Sequence, residues 1–131
     1  MQAKRAVMWA VAIGMGIGFG GASAIHAWQM KTAPGYIISE AEEFTDPAAL
    51  QEYGAKVRQT LAPFDPQFVI AGGKATTLDG APPKGIVVIR FESVQKAKAW
   101  YDSAEYQAIL PLRQKGAKGR MFVVEGVAPK P

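Results

Sequence analysis

The chain has no cysteine, and its one histidine, His26, lies close to the N-terminus. Without thiols there is nothing for an oxidising compartment to bridge, no thiolate nucleophile and no Cys-ligated zinc. Without histidine in the body of the chain there is no Ser-His or Cys-His triad and no histidine-ligated haem. Asp, Glu, Tyr and Lys are the groups left to move protons, and nothing in the sequence asks for a cofactor or a metal. Strong charge is also missing. The formal net charge is +4 and falls by two once Lys4 and Arg5 are set aside, and the remaining basic residues are scattered, which argues against a nucleic-acid partner. The Gly72-Gly73 pair has neither G-x-G-x-x-G spacing nor a helix after it, so it is no phosphate loop.

What is present begins with an address. Lys4 and Arg5 precede Ala6 to Ile25, a run without charge and rich in Ala, Gly, Met, Val and Ile. A basic n-region followed by an apolar h-region reads as a signal peptide. Cleavage is expected after Ala27, with Ala22-Ser23-Ala24 as the other small-residue site, leaving a periplasmic or secreted protein. The alternative is an uncleaved anchor, residues 6–27, which is just long enough to cross a bilayer and would tie the protein to the inner membrane. Residues 28–34 then form a leader, residues 35–127 a domain and residues 128–131 a tail. A domain of that size buries roughly two-thirds of its unfolded surface.

The domain alternates strand and helix signals. "GYIISEAE" (35–42) is β-branched and aromatic at its start and predicts a strand. Thr45 or Asp46 can cap a helix with Pro47 at its first position, running to about Leu61 with Leu50, Tyr53, Val57 and Leu61 on one face. Pro63 and Pro66 end it. "QFVIAGG" and "GIVVIRF" predict two further strands around a Gly/Pro-rich turn. Ser93 caps a helix through Tyr101, a second segment spans about Ala104 to Lys115, and "RMFVVEGV" (120–127) closes as a fourth strand. Asp102-Ser103 interrupts and recaps the helical stretch, and Pro111 is expected to kink its end and turn Trp100, Tyr101 and Tyr106 toward different surfaces.

Two strand–helix–strand halves joined by a turn give an α+β, ferredoxin-like βαββαβ fold, with a four-stranded antiparallel sheet and its helices on one face. A parallel sheet would need a helix between the second and third strands, where only the turn exists. Such a sheet should alternate apolar and polar residues where one face meets water. Ile86 to Ile89 is apolar without interruption, and "FVI" and "MFVV" behave alike. A second copy packing sheet to sheet would hide the other face, so a homodimer is expected.

The segments "YIISE", "TDP", "GG", "LDG", "VVIRFES", "AKAWYDSAEYQAILPLR" and "VVEG" together resemble the domain-of-unknown-function 1330 family over about residues 35–127. That resemblance implies a dimeric α/β barrel, in which two ferredoxin-like sheets pair across a twofold axis, and it implies no reaction. The sequence departs from the family pattern at two places. Ala71 stands where an Arg usually precedes the Gly pair, and Glu92 where a Pro usually follows the strand-three Phe, so an anion site built on that Arg would be weaker here.

Four residues are candidates for a small-molecule site: Tyr53, Trp100, Tyr106 and Arg113. Arg113 could offer its fork to a carboxylate or phosphate, or else pair with Glu105 or Glu125. Tyr53 and Tyr106 could donate phenol hydrogens to a ligand, or be buried with ordinary partners. Trp100 and Tyr101, being adjacent, cannot both face the sheet. Two functions remain open on these residues: binding a small organic acid or aromatic, with or without cofactor-independent chemistry, and an exported scaffold or stress protein in which the same side chains only pack.

Overall fold

The computed structural model describes residues 32–131; the expected signal segment and its cleavage site lie outside the described residues. Residues 33–127 form one compact unit. Its elements are β1 (Gly35–Phe44), α1 (Pro47–Leu61) followed by a 3-10 turn (Ala62–Phe64), β2 (Gln67–Ala71), β3 (Gly85–Phe91), α2 (Val94–Asp102), α3 (Ala104–Gly116) and β4 (Ala117–Glu125). The strands form one antiparallel sheet in the order β2-β3-β1-β4, the ferredoxin-like arrangement.

The helices start where short polar side chains can satisfy their first amides. Asp46 accepts from the Ala49 amide with Pro47 in the first turn, and Ser93 accepts from Lys96. Ser103 does two things at once. Its hydroxyl donates to the Trp100 carbonyl at 2.7 Å and accepts from the Tyr106 amide at 3.2 Å, closing α2 and opening α3. α3 continues past Pro111 to Gly116. Its last carbonyls are taken by the β1–α1 junction: Thr45 donates its amide to Gly116 and its hydroxyl to Lys115. Gly116 is needed for that close approach, since a Cβ there would meet the Leu50 side chain at 2.5 Å. Asp65, at φ 45°, turns the chain out of the 3-10 segment into β2, a left-handed position that Asp tolerates better than most residues.

The strands differ from their expected limits in an instructive way. β1 runs two residues further, to Phe44, and β4 begins at Ala117 and not at Arg120. Neither Ala117, Lys118 nor Gly119 has strand propensity of its own. They are strand because they pair with Phe44, Glu43 and Ala41 across an irregularity in β1 between Ala41 and Glu43. Tertiary pairing overrides local preference there.

The core lies between the sheet and the helices. Ile37, Ile89, Phe91, Leu61, Ala97, Trp100, Tyr106 and Ile109 form its buried centre. Trp100 is fully buried, and its indole N–H donates to the Thr60 hydroxyl at 2.9 Å, which in turn donates to the Val57 carbonyl. That relay is why a Trp can sit there at no polar cost. On the opposite face of the sheet, the register places Ile70, Val88, Ile38 and Phe122 in one row across all four strands.

Candidate functional site

The register also arranges the inner face in rows of decreasing size. Phe68, Ile89, Ile37 and Val123 form one row, Ala71, Val87, Ser39 and Met121 the next, and Gly85, Ala41 and Gly119 the last. The first row is filled by Trp100 and its neighbours. Toward the last row the strands offer too little side chain to reach the helices, and a cavity of about 380 Å³ remains between sheet, α1 and α3. Its walls are mostly apolar, with Phe44, Leu50, Val57, Phe68, Val87 and Met121 among the lining residues.

Tyr53, Trp100 and Arg113 all line this cavity. Tyr106 stands directly behind them, fully buried, with its hydroxyl 3.1 Å from that of Tyr53 and within 3.7 Å of the Met121 sulfur, to which it donates. The four residues singled out from sequence therefore form one constellation. The expectation that the helix break would send the aromatics to different surfaces is overturned. Trp100 and Tyr106 have ring centroids 4.1 Å apart, and Tyr101 and Tyr106 5.4 Å apart. The reason is the double cap at Ser103, which resets the helix without letting the rings diverge. Tyr101 is half-buried and lines a smaller groove of about 190 Å³ beside α2 and β4.

Arg113 is half-buried in the last turn of α3 and, among the described residues, makes no ion pair; neither Glu105 nor Glu125 approaches it. It is the one cation among the residues lining the cavity. Glu40 also borders the cavity, but it alternates with the inward-facing Ser39 and Ala41, and its carboxylate is engaged by Arg120 at 2.7 Å across the β1–β4 pair. Burial pushes the Tyr53 phenol above its ordinary range, partly offset by its hydrogen bond to Tyr106 and by the Arg113 charge. Burial raises Tyr106 further, assisted by the neighbouring Tyr53 phenol. Both remain neutral hydroxyls at physiological pH. The site can thus supply one positive charge, one or two neutral hydrogen-bond groups and an apolar enclosure, which is the equipment of a binding pocket with few polar anchors.

Sequence reasoning missed the cavity itself and three of its glycines, Gly54, Gly85 and Gly119. Gly54 sits on α1 between Tyr53 and Val57 at the rim of the cavity; it is exposed, and a Cβ there would meet no heavy atom within 4 Å. A glycine inside a helix costs about 1 kcal/mol relative to alanine. The shrinking side chains on β1, β3 and β4 were a signal in principle, but they become legible only once the strands are in register.

Comparison with known proteins gives a family and a fold. The model of a domain of unknown function, DUF1330, matches residues 34–127. Among solved structures the chain is similar to RPA0582, a protein of unknown function from Rhodopseudomonas palustris, at 14% identity over 81% of this chain and 94% of that one, with a TM-score of 0.58. A methylated form of RPA0582 gives 14% identity over 76% and 85% of the two chains, with a TM-score of 0.59. A dimeric ferredoxin-like protein of unknown function from Thermobifida fusca YX is 14% identical over 74% and 92%, with a TM-score of 0.49. No curated protein matches.

Proposed function

The chain belongs to the DUF1330 family, and from that premise, which carries no reaction with it, we propose that it binds a small organic acid with an apolar or aromatic body. The observation that carries this reading is Arg113: a half-buried guanidinium without an ion pair among the described residues, set in the wall of an apolar cavity beside the Tyr53 hydroxyl. A cation in a partly dehydrated setting without a counter-ion is best satisfied by a ligand carboxylate, which can accept two parallel hydrogen bonds from the fork. The neutral Tyr53 phenol would complete the anchor.

The same proposal places the protein outside the cytoplasm as a homodimer. Lys4, Arg5 and the uncharged run after them support export, with cleavage after Ala27 or retention by residues 6–27 as the two outcomes. The apolar row Ile70–Val88–Ile38–Phe122 supports pairing of two sheets: Ile70, Phe122 and the adjacent Val124 are exposed to 38%, 37% and 43% on the helix-free face. Light scattering at micromolar concentration tests it, and a stable monomer mass would remove the dimer.

Ligand binding is tested by thermal unfolding against a panel of carboxylic acids and their amide isosteres. An acid at a hundred times its Kd should stabilise the folded chain by about 2.7 kcal/mol. The amide isosteres should not, and Arg113→Ala should abolish the effect. If no acid raises the melting temperature of the wild-type protein, the scaffold reading takes its place.

A further inference from the structure

Resting on the acid-site reading above, we infer that Gly54 is the size filter of the cavity, the residue whose missing side chain admits monocarboxylates with a body larger than one ring. Three ordinary reasons for a glycine are absent at this position. Its φ is not positive; among the described glycines only Gly72 and Gly80 have that conformation. It makes no close approach to another element, because a Cβ would meet no heavy atom within 4 Å. It is not at a helix end, since α1 extends seven residues to either side of it. Helix propensity alone would replace it with alanine or almost anything else.

What Gly54 does touch is the cavity. It lines that space one residue after Tyr53 and one turn before Val57 and is itself exposed, so a side chain there would stand at the mouth of the cavity and narrow it. The charge inventory narrows the ligand further. Arg113 is the single lining cation and Glu40 is held by Arg120, so one carboxylate is matched and a second would lie in an apolar wall without a partner. The ligand is a monoacid, and Gly54 sets how bulky its body can be.

The test uses the full chain with Gly54→Ala and Gly54→Leu, probed with benzoate and 2-naphthoate by calorimetry and with xenon by NMR, because xenon enters apolar cavities without any need for Arg113. Gly54→Ala should raise the melting temperature by roughly 3–8 °C. It should leave the benzoate Kd within about two-fold and weaken 2-naphthoate about ten-fold or more. Gly54→Leu should lose both acids and the xenon-induced shifts of the lining amides. Wild-type binding of both acids retained in Gly54→Ala and in a folded Gly54→Leu would overturn the inference. If neither acid binds the wild type, while xenon enters it and is excluded by Gly54→Leu, the acid reading fails and the filter stands. Xenon entering Gly54→Leu as it enters the wild type, or failing to enter the wild type at all, removes the filter whatever the acids do.

Discussion

The two ends of the sheet's inner face are built from the same four strands and do opposite things. At one end Phe68, Ile89, Ile37 and Val123 meet Trp100, Tyr106 and Phe91 in a filled core; at the other Gly85, Ala41 and Gly119 leave a hollow. The difference teaches how a small domain divides labour. Large residues at one end hold the fold, and small ones two rows away leave room that the fold does not need. The division can be broken or sharpened by substitution.

The largest effect belongs to the filled end. Trp100→Ala should cost about 3–5 kcal/mol, read as a fall in the urea midpoint at unchanged slope, since it empties a fully buried site and leaves the Thr60 hydroxyl without its donor. Ser39→Val at the hollow end should change stability by less than about 1 kcal/mol, because the added methyl groups enter empty space. Equal losses from the two variants would mean that the ends are not mechanically distinct. A smaller effect is expected in alkali. Tyr53 and Tyr106 are both raised above the ordinary tyrosine value of 10.0, so the unfolded chain releases their protons first. Their contribution is complete below pH 10 and is lost as pH climbs beyond it. The Tyr53→Phe, Tyr106→Phe double variant should show a shallower decline of melting temperature between about pH 9 and 11, one unit either side of the ordinary tyrosine value of 10.0. The smallest effect is Arg113→Ala, which should leave the melting temperature of the ligand-free protein within about 2 °C, because no ion pair is lost. A large loss would make Arg113 a structural residue and weaken its role as an anchor.

Much of the frame was legible in the sequence because its signals are local. Pro47 after Asp46, Ser93 and Ser103 mark helix starts by side-chain chemistry that acts within one turn, and "GIVVIRF" is β-branched enough to declare itself. The first residues of β4 were not legible, since Ala117 to Gly119 owe their strand to β1 across an irregular register. The candidate residues Tyr53, Trp100, Tyr106 and Arg113 were found by type. Their convergence was not, because it depends on how Ser103 joins two helices and on which strand residues stand opposite one another. Gly54 was invisible for a similar reason: an absent side chain acquires meaning only from the space it faces.

The paired phenols of Tyr53 and Tyr106 have a consequence for selectivity. Either hydroxyl can be the donor in their mutual bond, and the Met121 sulfur can accept the Tyr106 hydrogen when Tyr53 keeps the role of donor toward Tyr106. Turning two O–H rotors reverses the bond between the two phenols without moving a heavy atom, and in that state the Met121 sulfur, which can only accept, gives up its hydrogen bond. A carbonyl oxygen and a hydroxyl could each be matched at the Tyr53 position, so the phenol pair would not by itself tell such guests apart.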